Sequence, residues 1–114
     1  MRITNLNYSH VIFLEFNTTA PRDVWMTDVT TSSLTISWKE PWSRASNITY
    51  YSICYRRSLI QACLTKIVES QTRSAVLENL NSSTNYKIRM RAHTTIGPGR
   101  YSRDISHNTK GKFR

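Results

Sequence analysis

The chain has 114 residues, about the size of one compact domain, and 39% of them are hydrophobic. Sixteen Lys and Arg against seven Asp and Glu give a net charge of +9, which favours acidic partners such as sulfated glycans, anionic protein surfaces or nucleic acid. The longest strongly apolar run, residues 11–14, is too short to span a bilayer or to form the core of a signal peptide.

From Pro21 onward, short segments of alternating apolar and polar residues are separated by turn signals. This pattern is typical of a β-sandwich or barrel, and no segment has a helical period. Seven strands are predicted, at residues 24–29, 34–38, 51–56, 62–64, 75–77, 86–92 and 105–107. Ile67 and Val68 mark a further, weak strand. Pro41 ends the second strand because proline has no backbone N–H to donate.

A set of framework residues follows this strand pattern in a recognisable order. They are Pro21, Leu34–Trp38, Pro41, Tyr51–Arg56, Leu80, Thr84, Tyr86, Ala92, Gly97–Gly99, Tyr101, Ser102 and Thr109. Together they resemble a fibronectin type III repeat over residues 21–109. The resemblance implies an all-β fold, a seven-stranded antiparallel immunoglobulin-like β-sandwich.

The same resemblance implies roles for four core residues. Trp38 is expected to fill the space between the two sheets, with Tyr51 and Leu80 as further structural core positions. The hydroxyl of Tyr86 is expected to form the tyrosine corner by bonding to backbone near Leu80. These residues are predicted to stabilise the fold and not to bind a ligand.

Residues outside this domain are predicted to be connections. Asn17–Pro21 resembles the junction between tandem repeats, which would make residues 10–17 the final strand of a preceding domain. We therefore assign residues 1–20 to a tail or to that strand and its linker, and residues 110–114 to a C-terminal tail. The alternatives for the first segment are an extra strand of this sandwich or part of a different kind of module.

The two cysteines, Cys54 and Cys63, are too few for a disulfide scaffold and match no zinc spacing. A hairpin centred between Ser58 and Leu59 would place them directly opposite each other, at a distance that a disulfide accepts. The facing pairs would then be Ile53 with Leu64, Cys54 with Cys63, and Tyr55 with Ala62. The alternative is two free thiols.

A row of basic residues is predicted on one face of the sandwich. If the apolar residues of the strand at 86–92 point inward, Lys87, Arg89 and Arg91 point outward, as does His93, and Arg56 lies beside them on a neighbouring strand. Such a face could bind heparan sulfate or an acidic protein surface. The alternative is a solvated face without a ligand. Nucleic acid is disfavoured because only Tyr50 adds an aromatic ring to the row.

No constellation of catalytic residues is visible, because the seven carboxylates and three histidines are scattered over different segments. A non-enzymatic protein without a cofactor or metal is therefore expected. Possible N-glycosylation sequences occur at four asparagines, Asn7, Asn17, Asn47 and Asn81. They favour an extracellular protein, although accidental triplets in a chain rich in Ser and Thr are the alternative.

These observations predict a protein-binding or orienting module in the ectodomain of a single-pass, membrane-anchored receptor or adhesion protein. Its partners would be a protein ligand or neighbouring domains of the same chain. The alternatives are a passive spacer repeat in an extracellular scaffold, or a module that binds heparan sulfate. Trp42 is expected to pack as a lid over the edge of the core, or to serve as an interface contact. Leu59 and Ile60 are unusual residues for a turn, and a neighbouring domain could cover them.

Overall fold

The computed structural model describes residues 18–42 and 47–112, and in this part of the chain every regular element is a β-strand. The seven strands are β1 (Arg22–Val29), β2 (Leu34–Lys39), β3 (Ile48–Arg56), β4 (Leu64–Glu69), β5 (Ser74–Leu77), β6 (Asn85–Thr94) and β7 (Ile105–Asn108).

The strands form two antiparallel sheets, one of three strands in the order β1-β2-β5 and one of four in the order β4-β3-β6-β7. Alternation along β2 and β6 shows that one face of each sheet points inward. In β2, for example, Leu34, Ile36 and Trp38 are buried, whereas Thr35 and Ser37 between them are only half-buried. The predicted all-β sandwich with seven antiparallel strands is confirmed.

The core lies between the two sheets and is crossed by an aromatic pair. Trp38 of β2 is 2% exposed, and its ring meets that of the fully buried Tyr51 of β3 edge-on, with 5.6 Å between ring centroids. Leu80, in the loop between β5 and β6, closes one end of the core and is also buried. The two sheets are therefore joined by buried side chains from their facing strands and from one loop.

The loop before β6 is held by the Tyr86 side chain. Tyr86 is buried, and its hydroxyl accepts a hydrogen bond of 2.9 Å from the backbone N–H of Asn81, the residue after Leu80. Thr109 donates its hydroxyl to the carbonyl oxygen of Asn81 at 2.5 Å. These two bonds pair the backbone N–H and carbonyl oxygen of Asn81, which lie in a loop and have no partner in a β-sheet.

The register predicted for the hairpin between β3 and β4 is wrong by two residues. Tyr55 pairs with Leu64 and not with Ala62, which is exposed in the turn. In the same way, Ile53 pairs with Lys66 and not with Leu64, and Cys54 pairs with Thr65. Ile67 and Val68 belong to this same strand β4 and do not form a separate one.

The physical reason for this error lies in the turn. Ser58 accepts hydrogen bonds from the N–H groups of Gln61 and Ile60, and Gln61 accepts one from Arg57, which places the turn one residue further along the chain. A shift of two residues leaves every side chain on its original face of the sheet. The hydrophobic pattern therefore could not distinguish the two registers.

The disulfide between Cys54 and Cys63 is present despite the changed register. Cys63 precedes β4 and reaches Cys54 diagonally, with 5.1 Å between the two Cα atoms. This separation is within the range of about 4.4 to 6.8 Å that disulfides accept. The predicted bond is confirmed, but the directly opposed pairing from which it was predicted is not.

Candidate binding surface on the four-stranded sheet

The outer face of the four-stranded sheet carries the predicted basic row. Along β6 the residues Tyr86, Ile88, Met90 and Ala92 are buried, and those between them point away from the core. Arg56 of β3 pairs with Lys87 of β6 and lies beside the row. We call this surface the basic face and define it by the residues Arg56, Lys87, Arg89, Arg91 and His93.

Tyr101 joins the two central arginines of the basic face. The guanidinium carbon of Arg89 lies 4.0 Å from the centre of the Tyr101 ring, and that of Arg91 lies 4.2 Å from it. Residues two apart on a strand are separated by about 6.8 Å, so the ring is placed between the two guanidinium groups. The result is a stack of Arg89, Tyr101 and Arg91, which we call the arginine stack.

The position of Tyr101 depends on its neighbour in the chain. Ser102 donates its backbone N–H to the carbonyl oxygen of Met90 at 2.8 Å, and its hydroxyl accepts from the Met90 N–H at 3.0 Å. This pair of bonds fastens the segment before β7 to the middle of β6. Tyr101 was not predicted as an aromatic member of this face, although Tyr101 and Ser102 are both framework residues of the resemblance.

Arg56 contributes less charge to the surface than its position in the row implies. Its side chain is 10% exposed and forms an ion pair of 3.5 Å with Asp104. Lys87 donates a hydrogen bond to the Asn85 side chain. Within residues 18–42 and 47–112, Arg89 and Arg91 form no ion pair, so the arginine stack is the uncompensated centre of the basic face.

Arg89 and Arg91 each combine a ring contact with a buried donor. The Nε–H groups of Arg56, Arg89 and Arg91 are buried, and none has a hydrogen-bond partner in the described part of the chain. The guanidinium carbons of Arg89 and Arg91 lie over the Tyr101 ring, which restricts the positions that the two groups can take. Because the Nε–H groups are buried, the terminal guanidinium nitrogens are the donors that remain for a ligand.

His93 continues the row, and its surroundings favour the neutral form of its ring. Its ring stacks on Tyr50 at 4.2 Å between centroids with 10° between planes, and its Nε2 lies 2.8 Å from the hydroxyl of Ser52. Burial lowers the pKa of His93 below its ordinary value, and the neighbouring Arg91 lowers the pKa further. At neutral pH the basic face therefore carries its charge on Lys and Arg alone.

This lowered pKa predicts that acid destabilises the fold through His93. Above pH about 6.5 the imidazole is neutral in both the folded and the unfolded chain, and its contribution to stability is fully present. As the pH falls through the lower folded pKa, the unfolded chain has already bound the proton, so this contribution is lost. Urea unfolding between pH about 7.5 and 5 should show a smaller loss of stability for His93→Gln than for the unmodified chain. Equal pH slopes would show that His93 titrates normally.

The predicted glycosylation sites are partly within the described structure. Asn47 and Asn81 are exposed, whereas Asn7 and Asn17 lie outside the described residues. Asn81 also borders an open groove of about 510 Å³ between the β3–β4 hairpin and the β5–β6 loop. Glycosylation at all four asparagines stays a prediction.

Two other kinds of feature are absent from residues 18–42 and 47–112. No cluster of three or more His, Cys, Asp or Glu residues there is arranged to hold a metal ion. No helix in the same residues has the length and hydropathy needed to cross a membrane.

Comparison with known proteins gives consistent matches. The family model for the fibronectin type III domain matches residues 19–108. The cell adhesion molecule DSCAM of Homo sapiens is 32% identical over 114 residues, which cover 96% of this chain and 6% of the relative. Ephrin type-B receptor 2 of Gallus gallus is 33% identical over 73 residues, covering 64% of this chain and 7% of that protein.

Solved structures match in the same way. The FN1–FN3 domains of chicken CNTN1 superpose with a TM-score of 0.73 at 29% identity, over 82% of this chain and 32% of theirs. The FN5 domain of Drosophila Lar superposes with a TM-score of 0.69 at 26% identity, over 83% of this chain and 99% of that domain. The curated relatives are much longer than the chain, which spans less than a tenth of each one cited.

Proposed function

This chain belongs to the fibronectin type III family, and from that premise we propose that it is a protein-binding module in the ectodomain of a cell-surface receptor or adhesion protein. Two of its relatives are a cell adhesion molecule and an ephrin receptor. The disulfide is of the kind that persists in oxidising, extracellular surroundings, and so also supports this location. Because the chain is a small part of those relatives, the proposal concerns one module and not a whole receptor.

The arginine stack is the observation that carries the binding role. Its two guanidinium groups project from alternate residues of β6, a repeat of about 6.8 Å. An extended peptide with carboxylates at alternate residues has the same repeat. Arginine also pairs with carboxylates through two parallel hydrogen bonds, which adds geometric specificity to charge attraction. We therefore propose an acidic, extended protein segment as the ligand of the basic face.

Two other partners are less well supported by this geometry. A nucleic-acid base needs an open aromatic face, but the Tyr101 ring is stacked against Arg89 and Arg91, and Tyr50 is stacked on His93. Heparan sulfate presents anionic groups that arginine also binds, and it is the second candidate. A passive spacer would need no uncompensated arginine pair on the outer face of its sheet.

The proposed role is not enzymatic. Asp23, Glu40 and Asp104 each form an ion pair with a separate cation, and these pairs lie in different parts of the sandwich. Acid–base or nucleophilic catalysis needs such groups to converge on one reacting atom. The match to the fibronectin type III family over residues 19–108 supports the same proposal.

The binding role is tested with two variants of equal net charge. Arg89→Gln/Arg91→Gln removes the arginine stack, and Lys110→Gln/Lys112→Gln removes two exposed cations near the C-terminus. The ligand is an extended peptide with Glu at every second residue, titrated at 0.1 M salt. We expect the first variant to lose about tenfold or more in affinity, roughly 1.4 kcal/mol, and the second much less.

Three further measurements sharpen this test. Arg89→Lys/Arg91→Lys keeps the charge but not the planar groups, so an intermediate loss is expected. A peptide of the same charge with Glu at every third residue should bind more weakly, whereas preference for heparin over both peptides would favour the glycan. Equal losses in both glutamine variants would show that the charge acts diffusely and that the basic face is not a binding site.

A further inference from the structure

The groove between the β3–β4 hairpin and the β5–β6 loop has an apolar side. Leu64, the first residue of β4, lines the groove and is 58% exposed. Tyr55, which pairs with Leu64 across the hairpin, adds a half-buried aromatic ring. The groove volume of about 510 Å³ is within the range of about 300 to 1,000 Å³ that ligand pockets occupy. The groove is therefore large enough to hold a ring-sized group against these two side chains.

The polar residues of the groove carry both signs of charge. Arg57 comes from the hairpin and Glu78 from the β5–β6 loop, and both are exposed. In the part of the chain that the structure describes, neither of them forms an ion pair. The side-chain oxygen of Gln61 accepts a hydrogen bond from the Arg57 backbone, so the amide nitrogen of Gln61 can still donate. A groove with donors, acceptors and apolar surface suits a neutral, polyhydroxylated ligand better than an ion.

Asn81 provides an attachment point for such a ligand at the edge of the groove. It lines the groove, is exposed, and begins the acceptor sequence Asn81-Ser82-Ser83, in which the middle residue is not proline. Both hydrogen bonds that Asn81 forms among the described residues use its backbone, with Tyr86 and with Thr109. The backbone of Asn81 is therefore fixed, whereas its side-chain amide is free to carry a substituent.

We propose that Asn81 carries an N-linked glycan whose first N-acetylglucosamine units lie in this groove, against Leu64 and Tyr55. The inference rests on the proposed extracellular location, because N-linked glycans are typical of secreted and cell-surface proteins. A sugar ring presents C–H groups that pack on apolar side chains and hydroxyl groups that pair with Arg57 and Glu78. Because the sugar starts from a fixed backbone, it loses less conformational freedom when it packs.

A glycan in the groove also sets a boundary for the basic face. Arg56 belongs to the basic face and lines the groove. Arg89 and Arg91 of the arginine stack do not line it. The glycan therefore borders the basic face at Arg56 and leaves the arginine stack open to a protein ligand.

The first measurement determines whether Asn81 is modified. The chain is secreted from a eukaryotic cell that attaches N-glycans, and its tryptic peptides are compared before and after treatment with peptide N-glycosidase. In the peptide of residues 74–87, Asn81 is the only asparagine in an acceptor sequence, so its conversion to aspartate reports the glycan. Ser83→Ala keeps Asn81 and should abolish this conversion. A peptide that is unmodified in most molecules would overturn the proposal.

The second measurement determines whether the sugar lies in the groove. In the secreted protein, Asn81→Gln should lower the midpoint of thermal unfolding by about 5 °C. In a Leu64→Ala background the same change should lower it by about 2 °C or less, because the sugar and Leu64 share one contact. The same variants made in a bacterial periplasm without N-glycosylation control for the substitutions themselves. There, Asn81→Gln should shift the midpoint by about 2 °C or less in both backgrounds.

Asn47 supplies the matched control, since it is exposed and begins the acceptor sequence Asn47-Ile48-Thr49 but does not line the groove. The connection between β2 and β3 that contains Asn47 also leaves Trp42 78% exposed, so the expectation that Trp42 is a lid over the core is wrong. Asn47→Gln should shift the midpoint of the secreted protein by about 2 °C or less. Equal shifts for the two asparagines, or a shift that Leu64→Ala leaves unchanged, would overturn the proposal. Peptide titration of the unglycosylated chain tests the basic face independently of these outcomes.

Discussion

Replacing Trp38 with alanine is expected to lower the free energy of unfolding by about 3 to 5 kcal/mol, as measured by urea titration. Trp38 is 2% exposed and contacts Tyr51 of the opposite sheet edge-on. Its removal deletes a large buried apolar surface and leaves a cavity that the paired strands around it can fill only in part. The loss therefore combines the transfer free energy of the indole ring with the cost of the cavity.

Trp42 supplies the matched control for this substitution. It is the same residue type, but 78% exposed, and its one described ring contact is with Arg22. Trp42→Ala should therefore cost about 1 kcal/mol or less in the isolated chain. A loss below about 1 kcal/mol for Trp38→Ala would contradict the core role, since it would equal the loss from an exposed site.

Removing the disulfide through Cys54→Ala/Cys63→Ala is expected to cost about 2 to 3 kcal/mol. The two cysteines are nine positions apart in sequence, so the bond closes a loop of ten residues. In the chain-entropy account, this closure restricts the unfolded chain and so raises the relative stability of the folded one. The free energy of unfolding is measured in urea for both proteins under oxidising conditions.

The reduced unmodified chain serves as the control for the double variant. Once reduced, it should lose nearly the same free energy of unfolding, and the variant should be insensitive to reductant. The intact mass of the unreduced chain should be about 2 Da below that of the reduced chain, because one S–S bond replaces two thiols. Complete alkylation of both cysteines in the folded, unreduced protein would disprove the bond.

The placement of side chains on the two faces of each sheet was predictable from the sequence. Buried and half-buried residues alternate along β2 and β6 as the hydrophobic period of two predicts. The outward direction of Lys87, Arg89 and Arg91 follows from the same period, because the residues between them are apolar. The general composition of the basic face therefore needed no tertiary structure.

The details of that face were not predictable in the same way. Tyr101 reaches Arg89 and Arg91 because Ser102 is bonded to Met90, a contact between residues twelve apart in sequence. The lowered pKa of His93 depends on its burial and on the charge of Arg91. Hydrophobic periodicity carries no information about either, since both require knowing which segments lie side by side.

The sequence by itself determined the fold and the face on which the residues of β2 and β6 lie. Polar side chains lose their hydration when they are buried, so apolar residues alternate with polar ones along such strands. Only the tertiary structure decided the register of the β3–β4 hairpin, the arginine stack and the exposure of Trp42. A two-residue shift conserves the period, and stacking and exposure depend on contacts between distant segments. These are properties of three-dimensional packing, and a local pattern of hydrophobic residues does not show which distant segments are in contact.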